Sequence, residues 1–307
     1  MPIWKKSETG TVRVGVLLFD QFSNHCLANA VEPLRAANDL TGSSVFEWVF
    51  LSMDGAPVKS SSEMEIAASG RLFQHSGDLL FVMPSYGYRA HSDTLSWAGL
   101  RMAAQRYGAI VGFDTGAWLM AAAGLLDQRR ATIHWEELDA FAEAFPDVDV
   151  VRERHVMDGD RITCTGGMAA FDLVVELIAD LKGEALRQDV RTLFMSGGRD
   201  GVAPKDRPVA QAISVMQAHL ETPLAIADLA RHVGLSQKAL EGRMKAALGA
   251  TPRQVYRRQR MVLARKLVLE TTLSVAEISV RCGYQDATAL TRAFQVEFGT
   301  SPRALRG

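Results

Sequence analysis

The sequence predicts an α/β sandwich built on a doubly wound, mostly parallel sheet, followed by a separate all-α domain. Three observations carry this. Short apolar runs alternate with longer amphipathic ones over residues 10–195, a segment rich in Gly, Pro and charge follows, and the last eighty residues hold one helical pattern written twice. The runs at 12–19 (VRVGVLLF), 46–52, 79–83 and 109–113 read as strands, continuously apolar because helices cover both faces of a parallel sheet. Residues 25–40, 92–107, 115–124 and 166–182 read as the intervening helices. Such a sheet offers ligands the crevice at the carboxyl ends of its strands. The segment SGGRDGVAPKDRP (196–208) lacks apolar periodicity and reads as a linker, giving domains at 1–195 and 209–307.

The repeat is the most specific signal. Residues 228–252 read DLARHVGLSQKALEGRMKAALGATP, and residues 277–302 read EISVRCGYQDATALTRAFQVEFGTSP. In the first copy Leu229 and Val233, then Leu240, Met244 and Leu248, recur every four residues, as one buried helical face requires; Ile278, then Leu290, Phe294 and Phe298, do so in the second. Gly234 and Gly283 fall where the chain must turn. Ser236 and Asp286 suit helix N-caps, Gly249 and Gly299 close those helices, and Pro252 and Pro302 prevent continuation. Helix, tight turn, helix is the helix-turn-helix arrangement, whose second helix can enter a DNA major groove. A protein-binding helical repeat would share the periodicity.

Charge separates the two readings. Residues 209–307 hold fourteen Lys and Arg against seven Asp and Glu, a net of +7, whereas residues 1–208 carry a net of −8. The whole-chain value of −1 therefore hides an acidic body joined to a basic module, the distribution expected when one end meets phosphate. Arg253, Arg257, Arg258, Arg260, Arg265 and Lys266 form the densest basic run. By itself such a run reads as a solvated helix face; between two helix-turn-helix units it reads as phosphate-contacting.

The stretches ADLARHVGLS, LGATPRQVYRRQRMVLARKLV and LSVAEISVRCGYQDATALTRAFQVEFGTSPRALR resemble the AraC/XylS class of bacterial transcription regulators. The resemblance implies two helix-turn-helix units held by a central helix near 252–269, with reading helices about one DNA turn, roughly 34 Å, apart. It places base-reading positions on Lys238, Glu241 and Gly242 in the first unit and on Thr288 and Arg292 in the second. Lys or Arg can read guanine, Glu cytosine, and Thr the thymine methyl. Gly242 departs from the family, which has a long polar or basic side chain there, and a mid-helix glycine costs about 1 kcal/mol in propensity. Arg243, Lys245 and Arg257 are expected at phosphates.

In the first domain, the segment at 109–118 (AIVGFDTGAW) reads as a strand, a sharp turn and a helix, with Asp114 where a nucleophile elbow carries its nucleophile. With VRVGVLLFDQFS, NAVEPLRAAND, AAAGLLDQRRATIHW (121–135) and DGDRITCTGGMAAFDLVVELI (158–178), it resembles the PfpI-type, class I glutamine-amidotransferase-like domain, a flavodoxin-like fold. Fusion of that domain to an AraC-type module is the arrangement of the GlxA-like regulators. PfpI-type enzymes place a cysteine at the elbow and a histidine near a later Thr-x-His motif. Here the histidine is His134, but the elbow residue is Asp114, which argues against thiol chemistry and leaves no catalytic residue to assign.

The catalytic pocket of the fold is therefore expected to serve as an effector pocket. Asp114 supplies a fixed anion, and Trp118, Trp135 beside His134, Tyr86 and Tyr88 supply aromatic faces, a combination that favours a cation. Relatives of this architecture include sensors for arginine, betaine and carnitine, which points the same way. Asp114 could instead cap the helix that follows it, and the aromatics could be core. Glu32, on the first helix, either reaches the same crevice or pairs with Arg35.

Cys26, Cys164 and Cys282 are scattered and without metal-ligand spacing, the histidines show no metal pairing, and no nucleotide-binding glycine loop is present, so no metal or cofactor is expected. No apolar run reaches the eighteen or so residues of a membrane span, and the start lacks a signal-peptide core. The reading is a cytoplasmic, homodimeric, effector-controlled regulator of operator DNA, touching RNA polymerase if an activator. Two alternatives stay open: an amidase- or isomerase-like enzyme tethered to a DNA-binding module, and a constitutive regulator whose first domain only dimerises.

Overall fold

The four apolar runs become four adjacent strands at the centre of one sheet. In the computed structural model, which describes residues 10–194 and 206–306, the chain up to residue 182 holds β1 (Val12–Leu18), α1 (Asn24–Thr41), β2 (Phe46–Ser52), β3 (Val58–Lys59), β4 (Glu65–Ile66), β5 (Gly70–Arg71) and β6 (Gly77–Met83). Then come α2 (Thr94–Ala103), β7 (Tyr107–Phe113), α3 (Gly116–Ala122), β8 (Arg130–Ala131), α4 (Leu138–Ala144), β9 (Asp149–Val150), β10 (His155–Asp158), β11 (Arg161–Cys164) and α5 (Met168–Lys182). The seven-stranded sheet runs β10-β11-β7-β6-β1-β2-β5. It is parallel throughout except where β10 pairs antiparallel with β11 at the edge.

Register follows burial. β1 lies between β2 (Val12 opposite Phe46 through Leu17 opposite Leu51) and β6 (Val14 opposite Leu79 through Leu18 opposite Met83), so both its faces are covered. Val14 and Val16 to Leu18 are buried accordingly. One face packs Leu17, Leu80, Val82 and Ile110 against Leu119 and Met120 of α3 and Phe141 of α4. Of the five two-residue strands among the described residues, β5 edges the main sheet beside β2, while β3 pairs with β4 and β8 with β9; all are too short to leave a period in the sequence.

The chain separates into two compact units, Met1–Asn38 with Ser43–Lys182, and Asp39–Gly42 with Gly183–Gly307. The helix α6 (Glu184–Phe194), expected in the first domain, thus clusters with the second unit. Of the expected linker, 196–205 lies outside the described residues; Asp206 already caps α7 (Arg207–Ala218), its carboxylate accepting from the Val209 N–H. Next come α8 (Ile226–His232), α9 (Gln237–Leu248), α10 (Pro252–Glu270), α11 (Val275–Arg281), α12 (Ala287–Phe298) and α13 (Pro302–Arg306).

These helices form two small cores, one per repeat. Leu229, Leu240, Met244 and Leu248 pack with Val209, Met216 and Tyr256, while Ile278, Leu290 and Phe294 pack with Met261, Ala264 and Val268. The helix α10 contributes to both, Tyr256 to the first and Met261 to Val268 to the second. The expected caps are present: Ser236 accepts from the Ala239 N–H at 3.3 Å, Asp286 from the Ala289 N–H at 2.7 Å, and Gly249 and Gly299 end α9 and α12 at φ 68° and 69°. Pro252 and Pro302 do more than stop a helix, since each is the first residue of the next one.

The two turn glycines are not equivalent. Gly234 and Gly283 sit at φ 70° and 69°, but a Cβ on Gly234 would meet open space, whereas one on Gly283 would lie 2.6 Å from Pro223 Cδ and 2.7 Å from the Leu220 carbonyl oxygen. Gly234→Ala is therefore expected to destabilise by about 1 kcal/mol, the left-handed penalty alone. Gly283→Ala is expected to lose clearly more, read as the lower chemical-denaturation midpoint of the two variants.

Candidate functional site

At the carboxyl end of β7 the chain enters Asp114, which takes φ 60°. That region costs a non-glycine residue about 1–3 kcal/mol and persists only where its surroundings hold it. Ser85, just beyond β6, has φ 50°, and Gln21, beyond β1, has φ 67°. Three of the five non-glycine residues at positive φ among the described residues thus follow the carboxyl ends of three adjacent parallel strands. Hydrogen bonds tie these loops together. The Tyr86 N–H donates to the Gln21 carbonyl (3.3 Å), the Thr115 hydroxyl to the Ser85 carbonyl (2.7 Å) and the His134 N–H to the Asp114 carbonyl (3.1 Å). Two glycines make room: a Cβ on Gly116 would lie 2.4 Å from the Val82 oxygen, and one on Gly166 would lie 2.9 Å from Asp114 Cβ.

The elbow expected from the sequence is therefore present, and Asp114 does not serve as a helix cap. Thr115 occupies the N-cap of α3, and no side chain bonds to that end. The Asp114 carboxyl is pushed above its ordinary value of 3.8, chiefly by burial, with Ser85 and a charge on His134 offsetting part of the rise. The Ser85 hydroxyl is itself buried and lies beside the Asp114 carboxyl. Behind the carboxylate lie two thiols that sequence reasoning left as scattered core cysteines. Burial, with Asp114 and Cys164 adding repulsion, raises Cys26 well above 9.0, and burial raises Cys164 to about 12. Both stay protonated near neutrality, so neither replaces the missing nucleophile.

The other expected effector contacts are only partly gathered. Trp135 and Tyr86 are exposed (64% and 62%), and each immediately follows a residue of the elbow, His134 or Ser85. Met168, 55% exposed, lies two residues after Gly166. The loops of the elbow therefore carry three large exposed side chains. Trp135 also borders an open depression of about 230 Å³ with Leu138, Arg152, Glu153, Arg154 and Thr165. Trp118 and Glu32 already have partners within the fold. Trp118, one turn along α3, packs edge-on against Tyr88 and Phe145, and the Arg89 guanidinium covers its ring at 4.7 Å. Glu32 is held by Arg35 at 2.8 Å, and α1 reaches the elbow through Cys26 near its start instead. Nothing in the local sequence separates Cys26 from an ordinary core cysteine.

In the second unit the expected reading residues lie on exposed helix faces. Lys238, Gly242, Arg243 and Lys245 on α9 are exposed, and Glu241, half-buried, accepts from Gln237 at 2.9 Å. Thr288 and Arg292 on α12 are exposed, opposite the buried Leu290 and Phe294. A Cβ on Gly242 would touch nothing within 4 Å, so packing does not demand glycine there. The basic run on α10 is less free than its sequence indicates. Arg258 is bound by Asp189 (2.8 Å) and Glu297, Arg260 stacks on Tyr284 (4.4 Å) and donates to the Gly283 carbonyl, and Arg257 faces Glu297 at 3.6 Å. On α9, Arg243 pairs with Asp206 at 3.0 Å.

The helix-turn-helix domain family matches residues 229–307. The transcriptional regulator CdhR of Pseudomonas aeruginosa is 37% identical over 303 residues, covering 93% of this chain and 89% of its own. The transcriptional regulator GlxA of Rhizobium meliloti is 32% identical over 308 residues, covering 96% of this chain and 95% of its own. The chain is a GlxA-like, AraC-family transcription regulator.

This GlxA-like regulator shares its fold with a solved ThiJ/PfpI family protein from Pseudomonas syringae, at a TM-score of 0.54 and 18% identity, over 81% of this chain and 91% of that one. The regulator binds DNA through its paired helix-turn-helix units. Its elbow predicts a pH signature. Because the folded pKa of Asp114 lies above the unfolded value, the folded state holds an extra proton between the two, and stability must fall as pH rises from about 3.8 through the raised value. Asp114→Asn removes that component. Thermal midpoints across pH should show the variant gaining on the parent as pH rises; equal gaps at every pH would contradict a raised Asp114.

Proposed function

We propose that the first unit is a non-catalytic receptor for a small cationic metabolite, a cationic amino acid or methylated amine, and that its occupancy controls activation of transcription from operator DNA. The observation that carries this is the elbow itself. A half-buried carboxylate is held at φ 60° beside the buried Ser85 hydroxyl, in loops that also carry the exposed Tyr86, Trp135 and Met168. A strained, desolvated carboxylate at the carboxyl end of a parallel strand is a liability that a ligand relieves. A cation with an N–H donor would answer both Asp114 and Ser85, with His134 at the side. The protonated state of both neighbouring thiols favours this over an amidase-like enzyme.

On this reading the protein works in the cytoplasm as a homodimer, placing four reading helices on repeated half-sites and meeting RNA polymerase as an activator. The ligand must bind the DNA-competent arrangement better than the incompetent one, or the reverse, since equal affinity shifts nothing. Lys238, Glu241, Thr288 and Arg292 read bases, while Arg243, Lys245 and Arg257 meet phosphates. The ion pairs of Arg243 and Arg257 involve half-exposed side chains (48% and 46%) and are weak enough to yield to a phosphate.

Two experiments test this. In a reporter strain grown on candidate amines, Asp114→Ala is expected to abolish the effector response while leaving operator affinity intact; an unaltered response would remove the elbow from sensing. In operator titrations, Arg292→Ala should relax preference by about 1–3 kcal/mol at one base pair, whereas Arg257→Ala should weaken all sequences alike and lower the salt slope by about one. Unchanged affinity for both variants would mean that the units dock another way.

A further inference from the structure

At the same end of the sheet lies a second cation site, and the protein's own side chain fills it. The single-turn helix Tyr88–His91 carries Arg89, whose guanidinium carbon stands 4.7 Å from the Trp118 ring centroid and 5.4 Å from that of Tyr88. Its Nε donates to the Tyr88 hydroxyl at 2.9 Å, and one terminal nitrogen donates to Glu137 at 3.0 Å. The walls hold each other without Arg89. The Tyr88 hydroxyl donates to the same Glu137 oxygen at 2.6 Å, and Trp118 is fixed edge-on between Tyr88 (5.3 Å) and Phe145 (5.1 Å). The occupant, by contrast, is 60% exposed, while Tyr88 is buried and the Glu137 side chain is 27% exposed.

We propose that Tyr88, Trp118 and Glu137 form a preformed guanidinium site, that Arg89 is its resident occupant, and that a small guanidinium-bearing molecule binds by displacing it. A rigid aromatic and carboxylate box closed by a loosely held surface arginine has this consequence: the box keeps its shape when the arginine leaves, and an exposed ion pair resists displacement weakly. The geometry selects among cations. Arg89 uses a flat π-facing surface and two N–H donors in the same plane, which another guanidinium reproduces, whereas a quaternary ammonium offers the charge without the donors. The inference rests on the sensor reading for its regulatory meaning. Displacing Arg89 would free the turn 88–91, which joins Ser85 and Tyr86 of the elbow through Gly87, so one ligand would act on both.

Calorimetric titration of the full chain with methylguanidinium and with tetramethylammonium tests it. An internal occupant present nine-tenths of the time lowers apparent affinity about tenfold, so Arg89→Ala should tighten methylguanidinium binding by about that factor or more. Adding Glu137→Gln to Arg89→Ala should erase the gain, and tetramethylammonium should gain clearly less than methylguanidinium. Because the decisive result is a gain, a misfolded variant cannot imitate it. Unchanged methylguanidinium affinity in Arg89→Ala overturns the proposal, and an equal gain for tetramethylammonium overturns its guanidinium selectivity. The two readings fail separately: a tightened Arg89→Ala with an intact effector response in Asp114→Ala sinks the elbow and spares the box, and the opposite pair does the reverse.

Discussion

The first unit is organised around a carboxylate forced into the left-handed region at the end of a parallel strand. Aspartate tolerates φ 60° better than most side chains but still does so at a cost, and burial works against its charge. The conformation is imposed from three sides. The strand β7 is locked in register between β6 and β11, the chain at Gly116 passes so close to the Val82 carbonyl that no side chain fits, and Gly166 lies against Asp114 where a Cβ would collide. The neighbouring loops at Gln21 and Ser85 share the strain and are bonded to one another or to the elbow. Strain kept in three adjacent loops by the register of the strands beneath them is fixed by the core, not by the loops' own sequences.

The second unit solves a different problem, that of stabilising two short repeats neither of which has a core of useful size. The helix α10 lends an apolar face to each, and its polar faces are tied down by acidic and aromatic partners. Burial disfavours charge on Arg258, but Asp189 and Glu297 outweigh it, so the guanidinium stays firmly charged while cross-linking α6, α10 and α12. Breaking one side of such a buried network leaves uncompensated charge, so these arginines read as structure before they read as DNA contacts. The basic excess available to phosphate is therefore smaller than the run of six cations implies.

Legibility followed the range of the interactions. The central strands, the paired helices, their caps at Ser236 and Asp286 and their closing glycines were readable because each rests on neighbours within about one turn or one strand. The two-residue strands and the grouping of α6 with the second unit were not, since they depend on pairing across the fold; the hairpin β10–β11 was local and was missed although Asp158-Gly159 marks its turn. The elbow was legible as a strand, turn and helix with Asp114 at its corner. Its surroundings were not, because Ser85, Cys26 and the pair Cys164 and Gly166 reach it from three separate segments, and no spacing links those segments. The same limit explains Trp118: a helical turn from Asp114 the sequence reads as one site, but the ring's direction is decided by Phe141, Phe145 and Arg89.

What the elbow lacks is as informative as what it holds. A catalytic thiol there would need a lowered pKa, but both available thiols are raised by burial and by the carboxylate that took the nucleophile's place. On the proposed reading, the carboxylate at the elbow carries a charge that burial disfavours and that a bound cation would meet. If a cation supplies it, the stabilisation exists only in arrangements that keep Asp114, Ser85 and His134 together. A ligand acting this way favours one arrangement of the chain by the difference in its affinity for the two, which is the whole thermodynamic content of control.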